Sequence, residues 1–324
     1  MRILTLGGTG FLSSAVVAAA RSGGHDVAAV TRGRSGPPPA GVTALTADRD
    51  DRQVLAAAVT SLPGGRPDAV IDICGYTVAG ARAAADVLGD VGAYAYVSSV
   101  SAYSGWPPGP VRSEDEPTWT PDDDVTQYGP MKAESERVLG GALGDRLLVA
   151  RAGLIIGPGD RTRRLTSWLH RIATEERVVV PAQDTPMAFV DVRDLAGWLV
   201  GAVERGLSGP VTATGPAGMT TFSGMLEACR AAVLADGGRA AELVPVREED
   251  LLAAGVEPWT DLPFWLPRDV AATAWDVGTS RARALGLPTR PVEDSVGATW
   301  AWMRASDLDH PALPAHVQQL ASGL

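Results

Sequence analysis

Lysine is almost absent from this chain of 324 residues. Of its 28 basic residues, 27 are arginines and Lys132 is the single lysine. Lys132 stands four positions after Tyr128. With only five tyrosines in the chain, chance would put the lysine there about 1 to 2 times in 100. A compact ammonium group can rotate its three donors toward a ligand, which a planar, permanently charged guanidinium cannot do. The Tyr-x-x-x-Lys pair is therefore the first functional hypothesis.

Cysteine and histidine are also scarce. Cys74 and Cys229 are far apart and lie in apolar or helical stretches, which predicts buried free thiols and excludes a disulfide framework. The four histidines form no His-x-x-x-His pair near a carboxylate. The sequence therefore predicts no metal site.

Long apolar runs are missing as well. No segment approaches the roughly 18 apolar residues of a membrane span, and the apolar stretch after Met1 is too short for a secretory signal. The formal net charge of −10 is unfavourable for binding a polyanion. These features argue against a membrane protein and against nucleic acid as a partner, and they predict a cytoplasmic protein.

Short apolar runs alternate with longer helical stretches through the first half of the chain, which is typical of a parallel sheet covered on both faces. The predicted strands are Ile3–Leu6, Val27–Thr31, Val42–Thr46, Ala69–Ile73, Ala93–Ser98 and Leu147–Ala150. The predicted helices are Phe11–Ser22, Asp51–Thr60, Ala79–Leu88 and Pro130–Leu143. This order predicts an α/β fold with a doubly wound parallel sheet of the Rossmann type.

The pattern loses its regularity after residue 160, and tryptophans cluster between residues 259 and 275. We therefore expect a dinucleotide-binding domain over residues 1–160, completed by about residues 188–213. Residues 161–324 are expected to form mainly a smaller, substrate-binding C-terminal region.

The first strand runs directly into a glycine-rich turn, and the turn runs into a helix. Glycines let the backbone approach a pyrophosphate closely, and the helix N-terminus offers free N–H groups to it. The placement between the first strand and the first helix makes a dinucleotide site the preferred interpretation. The predicted cofactor-binding residues of this turn are Gly7, Thr9, Gly10, Phe11 and Leu12.

The end of the second strand indicates which dinucleotide is bound. An acidic residue there suits a free ribose 2′-hydroxyl, whereas arginine suits a 2′-phosphate. Here Arg32 and Arg34 follow the strand, and no carboxylate occurs between Asp26 and Asp48. NADP(H) is favoured and NAD(H) stays possible, with solvated loop arginines as the alternative. Asp48 and the adjacent Arg49 are placed to meet the adenine, although Asp48 also suits a helix cap.

The glycine turn, Ser98-Ser99 and the Tyr128/Lys132 pair occur in the order and spacing of the short-chain dehydrogenase/reductase superfamily. More narrowly, the chain resembles its extended branch, the NAD-dependent epimerase/dehydratase-like proteins. Residues 96–103, 151–160 and 189–194 resemble further motifs of that branch. The resemblance therefore covers most of the chain.

Tyr128 and Lys132 share one face if both lie on a helix, and a nearby ammonium is expected to lower the pKa of the phenol. By resemblance, Lys132 contacts the nicotinamide ribose, Tyr128 transfers the proton and a serine hydroxyl holds the substrate oxygen. The resemblance assigns the serine role to Ser99, with Ser98 as the alternative. A purely structural role for Ser99, as a strand-end serine that hydrogen bonds to the backbone, also stays open. Cys74 is expected to line the nicotinamide edge.

Two departures narrow the reaction. Ser13 replaces the usual third glycine of the turn, which we expect to loosen or reshape the turn without removing the phosphate site. Val100 and Ser101 follow Ser99 where nucleotide-sugar 4,6-dehydratases carry an Asp-Glu pair. Without that acid and base, dehydratase chemistry is disfavoured.

The substrate side is less determined. Aromatic and apolar side chains suit either an apolar substrate or the core of a small domain; they are Met187, Phe189, Trp259, Phe264, Trp265 and Trp275. Arg163 and Arg164 are candidates for gripping a diphosphate or a carboxylate, with solvated arginines at a helix start as the alternative.

The sequence as a whole predicts an NADP(H)-dependent oxidoreductase with a Ser-Tyr-Lys site that transfers hydride to or from a carbonyl or alcohol carbon of a small molecule. One alternative is a nucleotide-sugar epimerase with bound NAD(P). Another is a non-catalytic dinucleotide-binding or RNA-binding protein. A homodimer through the Ala79–Leu88 and Pro130–Leu143 helices is a further hypothesis.

Overall fold

Seven parallel strands form the central sheet of the protein, in the order β3-β2-β1-β4-β5-β6-β11. A computed structural model describes residues 1–34, 36–310 and 314–322. Residues 311–313 and 323–324 of the predicted C-terminal region lie outside the described residues. The strand order runs outward from β1 in both directions, so the sheet is doubly wound and the predicted fold class is confirmed.

The strands are β1 (Arg2–Leu6), β2 (Asp26–Thr31), β3 (Thr43–Thr46), β4 (Ala69–Asp72), β5 (Ala93–Ser99), β6 (Leu147–Ala152), β7 (Ile155–Ile156), β8 (Arg177–Pro181), β9 (Pro186–Met187), β10 (Val190–Asp191), β11 (Gly209–Ala213), β12 (Thr220–Thr221) and β13 (Glu242–Val246). The α-helices are α1 (Phe11–Ser22), α2 (Arg52–Thr60), α3 (Val78–Leu88), α4 (Tyr128–Leu143), α5 (Leu165–Thr174), α6 (Val192–Glu204), α7 (Phe222–Ala235), α8 (Glu248–Ala253), α9 (Arg268–Ala274), α10 (Ser280–Ala284), α11 (Val292–Arg304) and α12 (Ala315–Ser322). None of these helices, within the described ranges, combines the length and the apolar character needed to cross a membrane.

Each face of the sheet is covered by its own helices. Successive side chains of a strand point to opposite faces. In β1, Ile3 accordingly joins an apolar cluster with α1 and α6. Leu4 joins a separate cluster with α2, α3 and α4. Because both faces are buried, the strands read as continuous apolar runs in the sequence.

The predicted boundaries differ from the observed ones by one or two residues. Helix α4 begins at Tyr128, whereas the sequence predicted a start at Pro130. A proline is accommodated there because the N–H groups of the first helical turn need no partner within the helix. Asp51 precedes α2 as its cap, and its carboxylate accepts from the N–H groups of Gln53 and Val54. The earlier start of α4 places Tyr128, which the predicted helix did not include, in the same helix as Lys132.

A third apolar cluster lies beyond the sheet. It combines side chains of α5, β8, α7, β13 and α11 and includes Trp168 and Trp265, both fully buried. Strand β11 belongs to the less regular half of the chain, but it pairs with β6 in the central sheet. The C-terminal half therefore contributes both an edge strand to the sheet and a core of its own.

Candidate active site

A cavity of about 830 Å³ opens where the central strands end. Its lining includes residues that follow four neighbouring strands: Gly7, Arg32, Cys74 and Ser99. The strand order reverses between β1 and β4, and ligands of doubly wound sheets bind in the crevice at such a point. The position of the cavity is therefore that of a dinucleotide site.

The glycine turn forms the floor of this cavity. A Cβ atom on Gly7, whose φ is +104°, would lie 2.9 Å from the Cys74 sulfur, and one on Gly8 would lie 2.8 Å from the Ala29 Cβ. Both positions therefore exclude a side chain. Every residue from Leu6 to Ser13 lines the cavity. This range includes the five predicted turn residues, and its backbone is open to a close-lying ligand.

Ser13 ties the turn together where the family pattern has a third glycine. Its Oγ accepts from the Gly10 N–H at 2.9 Å and lies 3.2 Å from the Gly10 carbonyl oxygen. Ser13 is buried. The hydroxyl thus adds a local hydrogen bond to the turn. The expected loosening of helix–strand packing or reshaping of the turn stays a prediction.

Arg32 and Arg34 are exposed, and both line the cavity beyond the end of β2. Neither forms a salt bridge with any described residue. Their guanidinium groups therefore remain available to an anionic ligand group at this end of the cavity.

Asp48 is not brought together with the other predicted cofactor residues. It is exposed, lies outside the cavity lining, and accepts from the Asp50 N–H at 3.1 Å. It does not cap α2 either, since Asp51 does so. Asp48 therefore faces solvent, whereas the next residue, Arg49, lies in the turn after β3 and is buried.

Arg49 lines the cavity and is 7% exposed. Its guanidinium forms a two-pronged salt bridge with Asp72, and Asp72 also accepts from the Tyr94 hydroxyl at 2.8 Å. The Arg49 Nε has no partner among the described residues. Arg49 thus neutralises a buried carboxylate and keeps one donor unpaired beside the cavity.

Lys132 is 1% exposed and lies under the centre of the cavity. Its Nζ donates to the carbonyl oxygens of Gly75 at 2.8 Å and Val97 at 3.0 Å. Burial lowers the pKa of Lys132 to about 8, although the nearby Asp72 carboxylate raises it. An ammonium has three donors, so one remains for a ligand.

Tyr128 projects into the cavity and is 48% exposed. The Lys132 Nζ lies 5.7 Å from the centre of its ring. Partial burial raises the pKa of the Tyr128 phenol, while a hydrogen bond with Ser99 and the charge of Arg164 lower it. The pKa is raised overall and not lowered as expected, because burial of the phenol outweighs the groups that lower it. Because its pKa is raised, the Tyr128 phenol is protonated at neutral pH.

The two candidate serines have different surroundings. Ser98 donates to Glu136, and Glu136 also accepts from Arg151. Ser99 accepts from the Ser101 N–H at 3.1 Å, and its side chain interacts with the Tyr128 phenol closely enough to lower the pKa of that group. Both serines line the cavity, but Ser98 is engaged by Glu136 whereas Ser99 lies next to the phenol. The geometry therefore favours Ser99 over Ser98.

The wall opposite the glycine turn is mainly apolar and aromatic. For six side chains the sequence leaves cavity and core as open alternatives. Trp259 and Trp275 line the cavity. Met187, Phe189, Phe264 and Trp265 are buried in the C-terminal apolar cluster, to which Trp275 belongs as well. Trp106 and Tyr76 complete the aromatic lining.

Arg164 also lines the cavity, in contrast to the alternative of a solvated arginine at the helix start. Its neighbour Arg163 is exposed and reaches Asp309 at 3.8 Å. No sequence signal separates two consecutive arginines, because the direction of each depends on the backbone of the preceding turn. Arg163 adopts a φ of +64° there.

Comparison with known proteins identifies the family. The model of the NAD dependent epimerase/dehydratase family matches residues 3–213. The chain belongs to this family. A 3-diazoavenalumate denitrifying reductase from a Streptomyces species is 28% identical over 228 residues, which cover 64% of this chain and 74% of the relative.

Solved structures share the fold. Bordetella bronchiseptica WbmH in complex with NAD+ has a TM-score of 0.70 at 18% identity, covering 94% of this chain and 98% of that chain. Thermotoga maritima UDP-glucose 4-epimerase with UDP-glucose has a TM-score of 0.63 at 18% identity, covering 94% and 99%.

Family membership confirms the resemblance expected from the sequence. It also makes this protein an NAD(P)-dependent enzyme of the reductase/dehydrogenase or epimerase type.

Proposed function

We propose that this family member is an NADP(H)-dependent oxidoreductase acting on a carbonyl or alcohol carbon of a small molecule. The observation that carries the proposal is the convergence of Ser99, Tyr128 and Lys132 on the same cavity as the glycine turn. A hydroxyl, a phenol and an ammonium at the end of a dinucleotide site are the groups that proton transfer at a carbonyl oxygen requires.

The residues around the cavity fit the cofactor. Gly7 and Gly8 pack so closely against Cys74 and Ala29 that neither admits a Cβ atom, and the backbone of the turn that lines the cavity suits a pyrophosphate. Arg32 and Arg34 would hold a 2′-phosphate, which favours NADP(H) over NAD(H). When bound, the nicotinamide cofactor supplies or accepts the hydride. Arg49, Cys74 and the turn residues would also contact the cofactor. Asp48 is exposed and lies outside the cavity lining, which argues against its contact with the cofactor.

The proton chemistry falls to three side chains. Tyr128 would donate its phenolic proton to the substrate oxygen, and Ser99 would hold that oxygen by a hydrogen bond. Lys132 would use its third donor on the cofactor ribose and stabilise the phenolate that forms. The raised pKa of Tyr128 supports the reductive direction, in which the phenol must begin protonated.

The substrate end supports a reductase over a sugar epimerase. Sugar hydroxyls need polar partners, whereas the lining there is largely apolar, with Trp106, Trp259, Leu266 and Trp275. The relative from Streptomyces is named as a reductase. We also propose the division predicted from the sequence, in which residues 1–160 with about 188–213 bind the cofactor and residues 161–324 mainly bind the substrate.

The test is net cofactor turnover. Purified protein would be mixed with NADPH and a panel of aromatic and aliphatic carbonyl compounds, and the loss of nicotinamide absorbance would be followed. We expect consumption that Tyr128→Phe reduces by at least about 100-fold. Conversion of a UDP-sugar without net change in absorbance would establish the epimerase alternative. Tight RNA binding that survives Tyr128→Phe, with no turnover in the panel, would establish the binding-protein alternative.

A further inference from the structure

Arg164 is held facing the cavity by its own segment. It immediately precedes α5, is half-buried, and its Nε donates to the Thr162 hydroxyl at 3.0 Å. Thr162 lines the cavity as well. Arg163 takes a left-handed conformation with φ of +64°, which is uncommon for a residue other than glycine. This turn sends Arg163 to the surface and Arg164 inward.

The Arg164 guanidinium has no salt-bridge partner in the described part of the chain. The acid whose charge reaches it is Asp160, and one oxygen of Asp160 accepts from the Thr162 N–H at 2.8 Å. A guanidinium carries five donors, and the hydrogen bond to Thr162 uses only Nε. Both terminal nitrogens therefore remain free to meet a ligand.

Arg164 and the reacting group of Tyr128 line the same cavity. The charge of Arg164 also lowers the pKa of Tyr128. An anion bound to Arg164 would therefore share the cavity with the substrate oxygen that receives the Tyr128 proton. A partly desolvated cation beside a cavity gains most from a ligand that brings its own negative charge.

The cavity that Arg164 lines also offers apolar surface for a molecular body. Tyr76 is 64% exposed and Trp259 is 37% exposed, although both rings line the cavity. Trp259 has a φ of +67°, a costly conformation for a bulky residue that is typical of ligand clamps. Leu154, Leu266 and Val277 extend the apolar surface.

We propose that the substrate is an apolar or aromatic carboxylic acid whose carboxylate binds the two terminal nitrogens of Arg164 beside Tyr128. This assignment deepens the proposed function and rests on it. A carboxylate matches two parallel N–H donors. A diphosphate would need further cationic or polar donors, and the largely apolar substrate end described above offers few of them.

The experiment compares acids with their uncharged amides. Calorimetry would measure the binding of cinnamate and cinnamamide, and of octanoate and octanamide, to protein saturated with NADP+. We expect at least one acid to bind about 10 to 100 times more tightly than its amide. Arg164→Gln should remove this preference, and Arg164→Lys should keep part of it. Arg163→Gln is the matched control and should keep all of it.

Four results would overturn the assignment. These are equal binding of acid and amide in the wild type, no binding of either acid, an unchanged preference in Arg164→Gln, and tighter binding of UDP-glucose than of the acids. Thermal melting would check that each variant is folded. Binding of the probes needs no turnover. If NADPH oxidation fails, the proposed function is refuted, but calorimetry still measures the preference for acid over amide.

Discussion

Lys132 lies in a position that an arginine could not fill without displacing its neighbours. Its ammonium lies 5.0 Å from the Tyr96 ring centre and 5.1 Å from that of Tyr76, with two backbone carbonyls within hydrogen-bonding distance. A compact, rotatable head fits this enclosure, whereas a planar fork has a larger and rigid donor pattern. The single lysine of the chain is thus buried beneath the proposed reaction site.

We expect Lys132→Arg to lower turnover by at least about 100-fold. The charge would remain, but the donor that reaches the cofactor ribose would be misplaced. Steady-state kinetics with NADPH measures the loss, and circular dichroism with thermal melting checks the fold. Near-normal activity in a folded variant would show that the position of the lysine is an accident.

The pKa of Lys132 predicts how activity depends on pH. The group is charged below about pH 8 in the folded protein, so kcat/KM should fall as the pH rises through about 8. A pH profile of the wild type measures this limb. The residual activity of Lys132→Arg should lack it, because a guanidinium does not titrate in this range. A flat wild-type profile between about pH 7 and about pH 10 would contradict the assignment.

Stability should move in the opposite direction. An unfolded lysine keeps its proton up to a pKa of about 10.4, whereas Lys132 in the folded state loses it near 8. Between these values the unfolded state binds more protons, so the Lys132 contribution to stability rises with pH. The same titration thus lowers activity and favours the folded state.

Ser99 and Ser98 offer a matched pair of substitutions. We expect Ser99→Ala to lower kcat by about 10- to 1,000-fold, because the substrate oxygen loses a positioned donor. Ser98→Ala should mainly lower the melting temperature, since Ser98 donates to Glu136. Kinetics and thermal melting of both variants separate the roles. A larger kinetic loss in Ser98→Ala would reverse the assignment.

At the scale of the element, the end of β2 sets the proposed cofactor preference. Arg32 and Arg34 follow that strand and line the cavity without an acidic partner in the described ranges. Loops at strand ends carry specificity because the sheet beneath them is rigid. The preference for NADPH should therefore depend on these two side chains and leave the fold unaffected.

We expect the double change Arg32→Gln and Arg34→Gln to raise the KM for NADPH by about 10- to 100-fold, because two charge-assisted contacts with the 2′-phosphate are lost. The KM for NADH should change little, and its value in wild type and variant is the internal control. Equal losses with both cofactors would show that the arginines do not read the 2′-phosphate.

The first turn of α4 shows how one element positions two functional groups. Residues four apart on a helix share a face, so Tyr128 and Lys132 both turn toward the end of β5. Glu136, a further turn along, reaches Ser98 and Arg151. One helical face therefore carries the phenol, the ammonium and the carboxylate that holds Ser98.

At the scale of the whole molecule, the C-terminal half closes the cavity that the sheet begins. Trp259, Trp275 and Arg164 come from that half, and Trp106 comes from the segment between β5 and α4. Neither half encloses the cavity alone. The site therefore depends on the packing of both apolar cores.

The homodimer remains a prediction of the sequence. Helices α3 and α4 pack against each other on one face of the sheet, and together they could present a common surface to a second copy. Light scattering at micromolar concentration should give twice the chain mass of 33.6 kDa. A monomer mass that persists as the concentration is raised would contradict the dimer.

Six of the seven strands of the central sheet, the glycine turn and the order of the elements in the first half could be predicted from the amino-acid sequence. These depend on local rules: buried strands are apolar throughout, glycines mark close approach, and residues four apart share a helix face. The six predicted strands differ from the observed ones only at their ends. The seventh strand, β11, is not among them, because it comes from the less regular half of the chain and joins the sheet by pairing with the distant β6. The family also followed, because its motifs are short and local.

Only the tertiary structure decided which side chains meet. It paired Arg49 with Asp72, held the Lys132 ammonium on two carbonyls, and divided the tryptophans between core and cavity. It also turned Arg164 inward and Arg163 outward. These contacts join residues that are distant in the chain. A local sequence pattern does not encode the direction of a side chain, because that direction depends on the path of the intervening backbone.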